Sequence, residues 1–248
     1  MILVPNQAVI LAGGQGERLR PLTNEIPKPM VHVNNYPFLD YLINSLIQIK
    51  IKNILILVGY KADKIISHYS NVKGVSIEFS HSDECALTGK RIINAKDKLS
   101  DCFLLVYGDN YWNVEFEDMV KTYNKMNCPI MTTVYSNKNF DGEYGKSNNI
   151  RTDLNLVVDY DKSRRKKNLN GVEIGYYIIQ KKILDFNNDN NFSFEEIYLP
   201  LLIKKKQLSA YVSDNRYFFI TDLKSLSKFE KNIKIENIQP IDQKMLLK

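Results

Sequence analysis

Residues 8–16 read Ala-Val-Ile-Leu-Ala-Gly-Gly-Gln-Gly, an apolar run that empties directly into a cluster of glycines. A short, unbroken apolar run bounded by glycine reads as a strand buried on both faces, the kind found in parallel sheets. The glycines then let the chain turn sharply and bring backbone N–H groups close to an anion with no side chain in the way. Arg18 follows the turn, and Lys28 stands between Pro27 and Pro29. Nucleotidyl or phosphoryl transfer needs this combination: N–H groups to cradle phosphate oxygens and cations to neutralise the charge that builds up. In parallel sheets such ligands sit at the carboxyl ends of the strands, which is where this turn falls.

The rest of the first half supports a sheet of that type. Gln7–Leu11, Asn53–Val58, Val75–Phe79 and Asp101–Tyr107 read as strands. Phe38–Ile49, Lys61–Tyr69 and Arg91–Lys98 read as helices, the first with Phe38, Leu39, Leu42, Ile43, Leu46 and Ile47 at helical spacing. Alternating strands and helices predict an α/β fold: a mostly parallel central sheet with helices on both faces, Rossmann-like in layout. The second half is less regular. Ile130–Tyr135, Val157–Tyr160, Val172–Ile179, Leu208–Val212 and Arg216–Ile220 read as strands. Phe194–Lys205 reads as a helix with Ser193 as N-cap and Glu195 and Glu196 in its first turn, Ser225–Asn232 as a closing helix, and Asn187–Asn191 as a loop. We expect one domain over residues 1–235, split into halves at 125/126, and a loosely attached tail over 236–248.

Composition narrows the function. The 248 residues are 44% hydrophobic and 25% charged, as in an ordinary globular protein, with a formal net charge of +6. The excess sits in clusters such as Arg164-Arg165-Lys166-Lys167 and Lys204-Lys205-Lys206, which read as solvated surface. No aromatic-interleaved basic stripe or zinc-finger spacing points to nucleic acid. No apolar stretch approaches the ~20 residues of a membrane-spanning helix, and no secretion signal is evident. Cys85, Cys102 and Cys128 lack paired spacing and read as free thiols in a reducing, cytoplasmic setting. His32, His68 and His81 have no metal-ligand spacing.

The glycine turn is neither the Rossmann dinucleotide pattern nor a Walker A loop, because no Gly-Lys-Ser/Thr closes it. With Arg18 and Lys28 in place, the run from Leu11 to Met30 resembles the nucleotide-binding motif of the sugar-phosphate nucleotidyltransferases, LAGGxGxRLxPLTxxxPKPM. The resemblance implies that Leu11, Ala12, Gly13, Gly14, Gln15, Gly16 and Glu17 line the nucleotide site. It also implies that Arg18 and Lys28 contact the phosphates. Leu104-Leu105-Val106-Tyr107-Gly108-Asp109-Asn110 is similar to the family strand that ends in Gly-Asp. By that likeness Asp109 binds Mg²⁺, a hard cation suited to bridging phosphate oxygens.

Weaker blocks follow. Glu84–Arg91 resembles the family loop that meets the base, which makes Thr88 and Gly89 candidate contacts, though a plain helix N-terminus fits the same residues. Asp161-Lys162-Ser163 stands where the family has Glu-Lys-Pro, so the resemblance gives Lys162 the acceptor phosphate and places Asp161 beside it; Lys162 reads equally as a surface lysine. Glu173 lies in an apolar strand, where a carboxylate is costly unless paired, and matches the family residue that meets sugar hydroxyls. Asn149 is a further acceptor-side candidate. One departure stands out. Phe219 aligns with a second metal-binding aspartate, and Asp222 is either a substitute ligand or a helix cap.

The resemblance implies transfer from an NTP to a sugar 1-phosphate, giving an NDP-sugar and pyrophosphate, with residues 1–125 serving the nucleotide and 126–235 the sugar phosphate. The run Pro27-Lys28-Pro29-Met30 resembles the heptose 1-phosphate guanylyltransferases, and thymidylyl-, uridylyl- and cytidylyltransferases share most of the same residues. Two alternatives stay open: a cytidylyltransferase acting on a non-sugar phosphate, and a non-catalytic nucleotide-sugar-binding module. The expected partners are small molecules, with a homo-oligomer compatible with the family.

Overall fold

The computed structural model describes residues 2–185 and 190–246. Its elements in chain order are β1 (Gln7–Leu11), β2 (His32–Val33), β3 (Tyr36–Pro37), α1 (Phe38–Gln48), β4 (Asn53–Val58), α2 (Ala62–Tyr69), β5 (Ser76–His81), α3 (Thr88–Asn94), β6 (Cys102–Tyr107) and β7 (Asn110–Trp112). Then come α4 (Phe116–Met126), β8 (Ile130–Tyr135), β9 (Ile150–Asp153), β10 (Leu156–Tyr160), β11 (Val172–Gln180), α5 (Phe194–Lys204), β12 (Leu208–Ser213), β13 (Tyr217–Phe219), α6 (Leu223–Ile235) and α7 (Gln243–Leu246). A nine-stranded sheet runs β5-β4-β1-β6-β11-β8-β12-β10-β9. The block β5-β4-β1-β6 is parallel throughout, β8 and β12 are parallel to each other, and β11 and β10 run antiparallel to their neighbours. The sheet is α/β and mostly parallel, as the strand–helix alternation predicts.

Period-two alternation sorts each central strand onto two cores. Ala8, Ile10, Ile54, Ile56, Leu104 and Val106 face one side, where Leu39, Leu42 and Leu46 of α1 and Ile65 and Tyr69 of α2 cover them. Val9, Leu11, Leu55, Leu57, Phe103 and Leu105 face the other, under Ile92 of α3 and Phe194, Tyr198 and Leu202 of α5. Burial on both faces explains why these strands carry almost no polar residues. A third cluster joins Phe38 and Tyr41 of α1 to Phe218 of β13 and Phe229 of α6.

Several expected elements differ. The strand expected at Arg216–Ile220 is present as β13, but it pairs antiparallel with β7 in a separate ribbon rather than joining the sheet. The helix expected over Arg91–Lys98 begins three residues earlier and ends at Asn94, followed by a 3-10 turn over Lys96–Lys98. Ser193 occupies the N-cap position of α5 without capping it; its hydroxyl donates to Glu195 Oε2 at 2.6 Å instead. The tail expected to be loose is docked. Ile238 and Ile241 are buried, Ile241 N–H donates to the Asp40 carbonyl, and Lys73 N–H donates to the Met245 carbonyl. Weak periodicity concealed these contacts because they are made by single residues, not by a helical face. Of the expected loop Asn187–Asn191, residues 187–189 lie outside the described residues.

Candidate active site

β1 ends under the glycine turn, and two glycines set its geometry. Gly16 has φ +65°, and a Cβ there would stand 2.9 Å from the Lys28 Cβ. The bare glycine therefore lets the 28–30 turn lie directly against the phosphate-loop candidate. Thr23 Oγ1 donates to the Gly16 carbonyl at 2.9 Å and holds the far side of that loop. Gly108 brings β6 equally close: its N–H donates to the Leu11 carbonyl at 2.9 Å, and a Cβ there would meet that oxygen at 2.6 Å. The ends of neighbouring parallel strands β1 and β6 thus deliver the glycine turn and Asp109 to one place.

They meet across a cleft of about 590 Å³ lined by Leu11, Ala12, Gly13, Gly14, Gln15, Gly16, Glu17, Arg18, Lys28, Thr88 and Asp109. Every nucleotide-side residue expected from sequence, except Gly89, lines it. Inside it the Lys28 ammonium lies 2.5 Å from Asp109 Oδ2, with the lysine side chain only 14% exposed. Gly89 packs instead: a Cβ there would strike the Phe192 ring at 2.1 Å, and its N–H donates to the Phe192 carbonyl. Thr88 lines the cleft but its hydroxyl serves the protein, donating to Glu195 Oε2 at 3.0 Å and accepting from Phe194 N–H at 2.8 Å.

The floor holds a residue that sequence reasoning missed. Arg91, 3% exposed, donates from Nη1 to the Val58 carbonyl and from Nη2 to the Gly13 and Glu84 carbonyls. Burial lowers its pKa, partly offset by Asp83 and Cys85. Gly13 and Gly59 are glycines for its sake, since a Cβ at either would overlap the guanidinium at 2.2 Å. An arginine inside an apolar helix face was the available signal. Thr221 is a second missed lining residue.

The acceptor-side candidates do not line this cleft, but two of them meet. Asn149, buried, accepts from Glu173 N–H through Oδ1 at 2.8 Å. Glu173 Oε1 accepts from Gly175 N–H at 2.5 Å. Burial pushes the Glu173 carboxyl up to about 7; the Gly175 N–H opposes this, and the charge of Glu195 adds to it. For Glu195, 8% exposed, burial would raise the pKa, but hydrogen bonds led by Ser193, together with the Lys162 charge, hold it below the ordinary value. Asp161 organises its own loop, accepting from Ser163 N–H and Oγ and from the Arg165 and Lys166 N–H groups. Those bonds, led by the Ser163 hydroxyl, lower it to about 2. Lys162 reaches α5, pairing with Glu196 at 3.0 Å.

Asp222 caps α6. Its carboxylate accepts from Ser225 N–H at 2.8 Å, and Ser225 Oγ accepts in return from Asp222 N–H. This capping bond, the leading influence, lowers its pKa. Phe219, paired in register with Asn110, is 9% exposed and stacked on Tyr144. Among the described residues no group of three or more His, Cys, Asp or Glu could hold a metal. Asp109 remains as a single, partly exposed carboxylate.

Comparison with known proteins follows the same outline. The family model described as Nucleotidyl transferase matches residues 7–219. The D-glycero-alpha-D-manno-heptose 1-phosphate guanylyltransferase of Aneurinibacillus thermoaerophilus is 30% identical over 212 residues, 84% of this chain and 90% of that protein. The UTP–glucose-1-phosphate uridylyltransferase AglF of Haloferax volcanii is 38% identical over 116 residues; this match spans 46% of the chain and 48% of the relative, about half of each. The crystal structure of HddC from Yersinia pseudotuberculosis complexed with GMP-PN superposes with a TM-score of 0.74 at 25% identity, covering 92% of this chain and 99% of that one.

Proposed function

The chain belongs to the nucleotidyl transferase family, and from that premise we propose that it joins an NTP to a sugar 1-phosphate, giving an NDP-sugar and pyrophosphate. GTP and heptose 1-phosphate are the substrates we favour, in line with the heptose 1-phosphate guanylyltransferase of A. thermoaerophilus. The observation that carries the reading is the convergence of the glycine turn, Arg18, Lys28 and Asp109 on one cleft. A phosphate oxygen of the acceptor attacks the α-phosphorus in line; the new O–P bond forms as the α–β bridge breaks, and pyrophosphate leaves. The protein supplies position and electrostatics, with no covalent intermediate. Backbone N–H groups of residues 13–16 hold the triphosphate, Arg18 stabilises the departing pyrophosphate, and Lys28 stabilises charge at the α-phosphate. Free thiols and the use of an NTP suit a cytoplasmic setting.

Magnesium fits the donor set in a limited way. Asp109 offers one carboxylate, and Mg²⁺ accepts such a site because it completes its shell with phosphate oxygens and water. When bound, the ion would neutralise charge between the phosphates. Phe219 motivates a second reading, a nucleotide-sugar-binding module without turnover. Pyrophosphate release with Mg²⁺, measured for five NTPs against a panel of sugar 1-phosphates and small alcohol phosphates, separates the two. Nucleotide binding without turnover on any pair would leave only the binding module.

A further inference from the structure

An aromatic stack leads from the strand that flanks Asp109 to a guanidinium. Ile220 N–H donates to the Asp109 carbonyl and Phe219 pairs with Asn110, so the backbone that carries Phe219 runs along the Asp109 turn. Tyr144 stacks on that ring at 5.1 Å and 26°. The Arg164 guanidinium lies 3.6 Å from the centroid of the Tyr144 ring. Its loop is fixed from beneath by Asp161, whose carbonyl also accepts from Arg164 N–H, and Arg164 Nη1 donates to the Ser147 carbonyl at 2.6 Å.

Two cations of the same loop are committed elsewhere. Lys162 pairs with Glu196 at 3.0 Å and Lys166 with Asp159 at 2.6 Å. Among the described residues Arg164 makes no ion pair. A half-buried guanidinium that is stacked and oriented but carries no carboxylate partner is preorganised to take a phosphate through two N–H groups. Its position favours the acceptor side. The stack runs back through Phe219 toward the Asp109 turn, and the bond to the Ser147 carbonyl sets the guanidinium two residues from Asn149; in agreement, burial raises the Tyr144 phenol while Arg164, Asp109 and Arg18 all act on that one hydroxyl. Its charge also reaches Glu173, the carboxylate bound to Gly175.

We propose that Arg164, held by its stack on Tyr144, is the principal cation that binds the phosphate monoester of the acceptor substrate, with Lys162 in a lesser role. The proposal rests on the transferase reading above. It also gives the stack a purpose: an aromatic beside Asp109 supports an arginine, and the nucleophilic phosphate is charge-balanced by protein.

The test uses binding, so that it stands apart from turnover. The full chain is saturated with Mg²⁺ and an NTP whose α–β bridge cannot be cleaved, and inorganic phosphate is titrated in by calorimetry. Arg164→Asn is the main variant, because residue 164 sits at φ +59° and asparagine tolerates that conformation. It should weaken phosphate binding on the order of tenfold or more, as expected for a lost charge-assisted pair, and leave nucleotide affinity unchanged. Arg164→Lys should fall between wild type and Arg164→Asn, and Lys162→Ala should lose less than Arg164→Asn. Equal phosphate affinity in wild type and Arg164→Asn overturns the proposal. So does a loss of nucleotide affinity that accompanies the phosphate loss, or a larger loss in Lys162→Ala. A wild-type protein that binds nucleotide but no phosphate overturns it as well while leaving the nucleotide site intact. Failure to bind any triphosphate counts against the transferase reading itself.

Discussion

The Lys28 ammonium and the Asp109 carboxylate form one ion pair, 2.5 Å apart, at the point where β1 and β6 end. The same Asp109 oxygen cannot serve both an ammonium and a hydrated divalent ion at full strength. On the proposed reading, binding of a metal–triphosphate would therefore turn Lys28 from the carboxylate to the phosphates, coupling its placement to substrate arrival.

Lys28→Ala should reduce turnover by roughly 10²–10³-fold, the usual cost of removing one group that stabilises developing charge. The fold should stand, because the Asp109 carboxylate left without its partner opens onto the cleft and stays hydrated. Pyrophosphate release and a thermal melt measure the two effects; wild-type turnover in the variant would remove Lys28 from the mechanism.

Asp222→Ala separates capping from metal binding. Loss of the reciprocal Asp222–Ser225 bonds at the start of α6 should cost about 1 kcal/mol of stability. Turnover and its Mg²⁺ dependence should match wild type. A large rise in the Mg²⁺ concentration needed for half-maximal rate would instead make Asp222 a ligand.

Glu173 gives stability a defined pH slope. Its folded pKa is raised to about 7 by burial, above the unfolded value, so between about 4.5 and 7 the folded chain holds a proton that the unfolded chain has released. The contribution is fully present below that window and is lost as pH rises through 7. Glu173→Gln removes the titration. Near pH 4 the variant should resemble wild type; at pH 8 it should be more stable by about 3 kcal/mol. Urea unfolding at several pH values reads this directly, and parallel profiles for the two proteins would show that burying this carboxylate carries no such cost.

What was legible in sequence follows the range of the interactions. The glycine turn, Arg18 and Lys28 lie within one contiguous motif, and β1, β4 and β6 declare themselves through local apolar runs, so the nucleotide end of the cleft was readable. Asp161 and Gly89 are harder to read because their residue types suit both a ligand contact and a structural role. Only their partners, the 163–166 N–H groups and the Phe192 ring, decide between the two. The Phe219–Tyr144–Arg164 stack joins three segments far apart in sequence, and no local pattern announces it.

The three carbonyls that Arg91 ties are equally scattered along the chain, and its removal is the most telling structural variant. Its guanidinium ties the β4 end, the glycine turn and the 84–88 loop through the Val58, Gly13 and Glu84 carbonyls. Two of these oxygens keep another donor, Ser82 N–H for Val58 and Tyr60 N–H for Gly13, so they are not orphaned. The loss is then that of three charge-assisted bonds in a buried place, about 2–3 kcal/mol for Arg91→Met. Arg91→Lys should recover little, since one ammonium cannot reproduce the planar fork. Nucleotide affinity should fall in both variants, because the two walls of the cleft lose their common anchor while every group expected to touch the nucleotide remains. Denaturant melts and nucleotide titration test the two halves of this argument. A variant that binds nucleotide as tightly as wild type would show that the glycine turn holds its shape without Arg91.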